Sequence, residues 1–149
     1  MTVHLSKTID VAKAYDSAAQ YYNKWHWQML WNNIEQPLYT QYISNSERIN
    51  NNFKALDIGA GQGKQSIILA SMQYKVDAVD LSEGMLAMCP PNKNIILHLE
   101  DIIVFYKKNS EKYDIITCAR VLSHIESLDE FSQRTFSHLK PGGSLLLSD

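Results

Sequence analysis

Apolar and polar positions alternate along this chain in two rhythms. The run Phe53-Lys54-Ala55-Leu56-Asp57-Ile58 is short and mostly apolar, too short for a helix and suited to a strand covered on both faces. Gly59, Gly61 and Gly63 follow at alternate positions, and beyond them the spacing turns helical, with Ile67, Ile68, Ala70 and Ser71 on one side. The same succession then repeats. Strands are expected over 76–80, 95–99, 113–119 and 144–148, and helical segments after Ser82, over 102–108 and over 128–139. Strands separated by helices in this way predict an α/β architecture built on a parallel sheet.

The first fifty residues read differently. They are rich in aromatics, among them Tyr15, Tyr21, Tyr22, Trp25, Trp27, Trp31, Tyr39 and Tyr42. No Gly or Pro interrupts 7–31, which predicts one or two helices, and Pro37 suits the first turn of another. Ser44, Asn45 and Ser46, then Ile49 to Asn52, read as a polar end and a link into the first strand. The chain is therefore divided into an N-terminal helical cap, 1–52, and a core, 53–149, within one structural domain.

Composition narrows the picture. A chain of 149 residues with 45% hydrophobic and 20% charged residues is ordinary for one globular domain. No apolar run is long enough to span a membrane, and the N-terminus lacks the basic and apolar regions of a signal peptide, so the expectation is a cytoplasmic protein without a membrane role. A net charge of −2 with no Lys/Arg stripe gives no footprint for nucleic acid. Cys89 and Cys118 form no C-x-x-C, and no metal site is expected; His98, alone on an apolar strand, reads as structural.

The glycine turn carries the candidate chemistry. Glycine tolerates φ > 0 and lets a ligand approach the main chain, and the N–H groups at the following helix start favour an anionic or strongly hydrogen-bonding ligand. Two patterns fail against the letters. A dinucleotide G-x-G-x-x-G would need glycine where Lys64 stands, and a phosphate loop would need Gly at Ile58 and Ser or Thr at Gln65. Asp80 ends the second strand, where a carboxylate can accept two hydrogen bonds from a ribose diol. Ser82 is placed to cap the next helix, with Glu83 in its first turn. Asp101 follows the third strand and can cap 102–108. Cys89-Pro90-Pro91-Asn92 reads as a turn, since neither the order nor the place matches the proline boxes of base-modifying enzymes.

Asp57-Ile58-Gly59-Ala60-Gly61-Gln62-Gly63 resembles the first motif, D/E-x-G-x-G-x-G, of the class I S-adenosylmethionine-dependent methyltransferases. Later stretches are similar to further motifs of that family in the same order: Asp80, Asp101-Ile102, Tyr113-Asp114, and Leu139-Lys140-Pro141-Gly142-Gly143 before an apolar strand. Tyr15-Asp16 through Tyr22-Asn23 resembles the segment F/Y-D-x-x-A-x-x-Y-D ahead of the core in small-molecule members of the quinone-biosynthesis type, with Asn23 where they have an acid. The resemblance implies S-adenosylmethionine as cofactor and S-adenosylhomocysteine as product. It assigns Tyr22, Asp57, Gly59, Ala60, Gly61, Asp80, Leu81, Met85, Asp101, Ile102, Ala119 and Arg120 to the cofactor. Met85 is equally explained as core filler, and Arg120 as an anion contact or a solvated side chain. His124 is a weak candidate for a general base and otherwise no catalytic residue is assigned.

The fold expected is a doubly wound Rossmann-like sheet in the order 3-2-1-4-5, with the family's strands 6 and 7 absent. The function expected is methyl transfer to a small-molecule acceptor. A non-catalytic S-adenosylmethionine- or S-adenosylhomocysteine-binding module, or a fragment needing a partner chain, is the alternative, and a nicotinamide-dependent oxidoreductase is a third reading disfavoured by Lys64. The fifth strand would form an open edge, where a truncated or missing segment, a homodimer or a partner chain is expected.

Overall fold

The computed structural model describes residues 2–26, 28–45 and 52–148. Trp27 and most of the link ahead of the first strand, 46–51, lie outside them. Among the described residues five parallel strands form one sheet: β1 (Lys54–Ile58), β2 (Lys75–Asp80), β3 (Ile95–Leu99), β4 (Tyr113–Ala119) and β5 (Leu139–Ser148). Their order is β3-β2-β1-β4-β5, as the family resemblance implies. The helices are α1 (Thr2–Ala18), α2 (Gln28–Leu30), α3 (Gln36–Asn45), α4 (Lys64–Ser71), α5 (Glu83–Leu86), α6 (Ile102–Lys108) and α7 (Leu128–His138).

Period-two alternation sends successive side chains of the central strands into two cores. Leu56 and Ile58 of β1, with Ile116 and Cys118 of β4, pack against Phe105 and Tyr106 of α6 and Phe131 of α7. Ala55 and Ile115 face the other way, onto Leu69 and Ala70 of α4. The N-terminal segment contributes directly to this second core: Trp31, Tyr39 and Ile43 are buried in it beside Tyr74 and Val76. The aromatics divide accordingly, since Tyr21, Trp25 and Tyr42 stay exposed.

Three elements differ from the sequence reading. Pro37 does sit in the first turn of α3, but α2 runs into α3 through a wide π turn, Trp31–Glu35. Proline has no N–H for the carbonyl four residues back and its ring crowds that carbonyl, so a wider preceding turn relieves the clash without ending the helix. The fifth strand begins at Leu139 rather than Ser144. Lys140 to Gly143 bulge opposite Asp114 between the pairs Tyr113↔Leu139 and Ile115↔Ser144. Gly143 lies so close to β4 that a Cβ there would come within 2.9 Å of the Tyr113 carbonyl, while Lys140 Nζ reaches Asp114 Oδ2 at 2.8 Å.

The third difference concerns Asp57. Alternation turns its carboxyl toward α4, where it is 1% exposed. Ser66 Oγ donates to Oδ2 at 2.6 Å and Thr117 Oγ1 to Oδ1 at 2.9 Å, and the Ser66 N–H adds a third bond. This carboxyl therefore answers the N-terminal end of α4, the position sequence reasoning reserved for a ligand anion. It also ties β1, β4 and α4 together beneath the glycine turn.

Two outcomes are expected. Ile43 is 1% exposed, so Ile43→Ala should cost about 2–5 kcal/mol in urea unfolding; a cost below about 1 kcal/mol would mean that α3 is not part of the core. Burial, opposed by the Ser66 and Thr117 bonds, pushes the Asp57 carboxyl up to about 6. A pKa raised in the folded state makes folding bind a proton, so this contribution is fully present below about pH 4 and is lost as pH rises through about 6. Asp57→Asn should therefore gain on the natural chain by about 3 kcal/mol between pH 4 and pH 7. Denaturant midpoints of both chains across that range check it, and a constant difference would contradict the assignment.

Candidate functional site

A cavity of about 380 Å³ opens at the C-terminal ends of β1, β2 and β4, a size suited to a small ligand. Open α/β sheets bind ligands at this end because the strand order reverses there and the loops diverge. Gly59, Gly61 and Gly63 all have positive φ, of 67°, 52° and 77°. A Cβ on Gly59 would stand 2.1 Å from Val121 Cγ2, so the turn closes against the loop after β4 only because that atom is missing. The N–H groups of Gly59 and Ala60 both donate to the Val79 carbonyl, at 2.9 and 3.1 Å, and that of Gly63 to Ala60. These donors are spent on β2 and within the turn and are not held out to a ligand.

Asp80, at the end of β2, lines the cavity. Its Oδ2 accepts from Gly61 N at 2.8 Å and its Oδ1 from Ser82 N at 2.8 Å. Each oxygen keeps acceptor capacity toward the cavity, because a carboxylate offers about four lone-pair sites. Burial pushes this carboxyl up, with backbone N–H groups of Ser82, Gly61 and Leu81 opposing. Ser82 caps α5 as anticipated, accepting from Met85 N at 3.1 Å. It also donates to Asp16 Oδ1, which takes the Gly84 N–H at 2.8 Å as well. Those two bonds hold the Asp16 carboxyl below the usual range and fasten the end of α1 over the cavity.

Of the residues singled out in the sequence, Tyr22, Gly59, Ala60, Gly61, Asp80, Leu81, Met85, Asp101, Ile102, Ala119, Arg120 and His124 all line this cavity. Asp57 does not; it lies behind the glycine turn, fully committed to Ser66 and Thr117. Asp101 caps α6 through Oδ1, which accepts from Ile103 N at 2.8 Å and Val104 N at 3.2 Å. Oδ2 is left available. Met85 is only 3% exposed and also touches the Gly61 position, so it serves as core and as wall. Arg120 is not a solvated side chain: its backbone takes φ of 56°, and its guanidinium bonds Glu35 at 2.6 Å.

Sequence reasoning missed several wall residues. Lys64, read only as the residue that breaks a dinucleotide pattern, lines the cavity and bonds Gln28. Burial and the Arg120 charge both lower its ammonium pKa. Tyr15 Oη lies 3.1 Å from His124 Nε2, with the rings edge to face at 5.6 Å, closing one side of the cavity between α1 and the loop after β4. Burial, Tyr22 and Asp80 push the Tyr15 hydroxyl pKa up. Gln62 donates to the Ala19 carbonyl at 2.8 Å, while its buried Oε1 has no partner among the described residues. His98, by contrast, bonds Asp77 at 2.7 Å away from the cavity wall, in keeping with a structural role. Among the described residues no helix is long and apolar enough to cross a membrane.

Comparison with known proteins follows the same lines. Residues 30–149 match the family model described as a methyltransferase domain. The ubiquinone biosynthesis O-methyltransferase of Rickettsia canadensis (strain McKiel) is 30% identical over 97 residues, covering 62% of this chain and 41% of that protein. That of Coxiella burnetii (strain Dugway 5J108-111) is 32% identical over 98 residues, covering 62% and 42%. The chain thus spans about two fifths of the length of these curated relatives. A crystal structure of a Haemonchus contortus phosphoethanolamine N-methyltransferase 2, in complex with phosphomonomethylethanolamine and S-adenosylhomocysteine, superposes with a TM-score of 0.68 at 21% identity, over 93% of this chain and 34% of that one. With a model match over most of its length and the glycine turn, Asp80 and Asp101 gathered at one cavity, the chain belongs to the methyltransferase domain family.

Proposed function

We propose that this chain binds S-adenosylmethionine in the cavity and transfers its methyl group to a small-molecule acceptor. The observation that carries the reading is Asp80: a carboxylate at the β2 end, in the wall of a cleft of ligand size, braced by one backbone N–H on each oxygen. That is the acceptor geometry a ribose diol needs. Asp101 Oδ2 suits an adenine amino group, and Leu81, Met85 and Ile102 offer apolar surface for the base.

The opposite end of the cavity fits an amino-acid group. Lys64 has a neutral partner in Gln28, and Arg120 shares its charge with Glu35, so the two cations with one anion leave an excess of positive charge for a carboxylate. When bound, S-adenosylmethionine supplies a methyl group already activated on a sulfonium. What remains for the protein is alignment and exclusion of water. Trp31, Tyr15 and Tyr22 give the cavity an aromatic side, which suits a sulfonium and a flat acceptor alike. Where the acceptor atom carries a proton, the Tyr15–His124 pair in the wall, bonded side chain to side chain, offers it a path out. The O-methyltransferase names of the curated relatives favour a hydroxyl acceptor.

Titration calorimetry with S-adenosylhomocysteine tests the reading. The natural chain should bind, and Asp80→Asn should weaken binding about 10- to 100-fold, the value of hydrogen bonds to a charged acceptor. NADH should give no heat under the same conditions. Equal affinity in a folded Asp80→Asn chain, checked by circular dichroism, would overturn the assignment, and binding of NADH alone would restore the oxidoreductase reading.

A further inference from the structure

β3 pairs only with β2 among the described residues, and it forms one border of the sheet. Its composition is unusual for a border. Ile96, Leu97 and Leu99 are 61%, 44% and 53% exposed, although edge strands are normally blunted by charge, proline or a covering element. The backbone polarity can be assigned. Asn94 O accepts from Val76 N, and Glu100 N donates to Asp80 O, so the even-numbered residues bond β2. In a parallel ladder the odd-numbered residues then point their N–H and C=O outward, which applies to Leu97 and Leu99 in full. Ile95 keeps its C=O, since its N–H bonds Asn92.

We infer that β3 is a self-pairing surface and that its partner is a second copy of this chain, joined antiparallel about a twofold axis through Leu97. Three features select this occupant. An axis at Leu97 is the register that brings all three outward residues into use, with Leu97 opposite Leu97 and Ile95 opposite Leu99 on both sides. Leu97 then meets Leu97 of the second copy and Leu99 meets Ile95, while Ile96 stands opposite His98. The charges at the two ends differ: exposed Lys93 precedes the strand and Asp101 follows it, with Glu100 already bonded to Lys108 at 2.7 Å. Antiparallel pairing therefore lays the basic end of one copy beside the acidic end of the other twice, whereas a parallel arrangement would stack like charges. The strand is five residues long, so the contact belongs to the weak, concentration-dependent class.

Sedimentation across a series from micromolar to near-millimolar chain tests the inference. The natural chain should pass from monomer to dimer, and Leu97→Lys should remain monomeric throughout with an unchanged circular dichroism spectrum. A second pair of variants reads the register. Directly opposed residues of an antiparallel pair have Cα atoms about 4.5–5.5 Å apart, inside the range a disulfide bridges. On mild oxidation Leu97→Cys should give a covalent dimer and Ile96→Cys should not, while the buried Cys89 and Cys118 of the natural chain leave it uncrosslinked. A natural chain monomeric at every concentration, a dimer that survives Leu97→Lys, or equal crosslinking at 96 and 97 would each overturn the proposal.

Discussion

A carboxyl without solvent, held by two hydroxyls and a helix N–H, underlies the geometry of the cavity. Asp57 receives Ser66 and Thr117 from elements on either side of β1, so the strand, its neighbour β4 and α4 meet at one polar point. Burying a carboxyl is costly, and satisfying its lone pairs recovers much of that cost. The satisfied arrangement is also directional. It places the start of α4 at a set distance from the end of β1, and the three glycines have to cross that distance in left-handed conformations. The turn's own N–H groups are consumed in closing it, which leaves recognition to side chains at other strand ends, Asp80 above all.

Much of the fold could be read from local rules. The limits of β4 and α6, the cap at Ser82 and the cap at Asp101 each follow from a few neighbouring letters, and the structure agrees with them. The family motifs supplied the strand order. What could not be read depends on partners far away in sequence. That Asp57 faces α4 and not the cavity follows from period-two alternation only once Thr117, 60 residues on, is known to stand beside it. Glu35 meets Arg120 across 85 residues, and Tyr15 meets His124 across 109. No spacing rule reports such contacts.

The fifth strand shows the same limit from another side. Proline and glycine in Lys140-Pro141-Gly142-Gly143 indicate a turn by local rules alone. Pairing with β4 resumes on both sides of it, so tertiary contact converts the turn into a bulge. Asp114 rewards this directly, since its Oδ2 accepts both Lys140 Nζ and the Lys54 backbone N–H.

The fastening of α1 has a mechanical meaning. Asp16 holds the Ser82 hydroxyl and the Gly84 N–H, on the very loop whose Ser82 N–H braces Asp80. One short side chain therefore joins the helical wall of the cavity to the loop that positions its carboxylate, so a displacement of either is passed to the other.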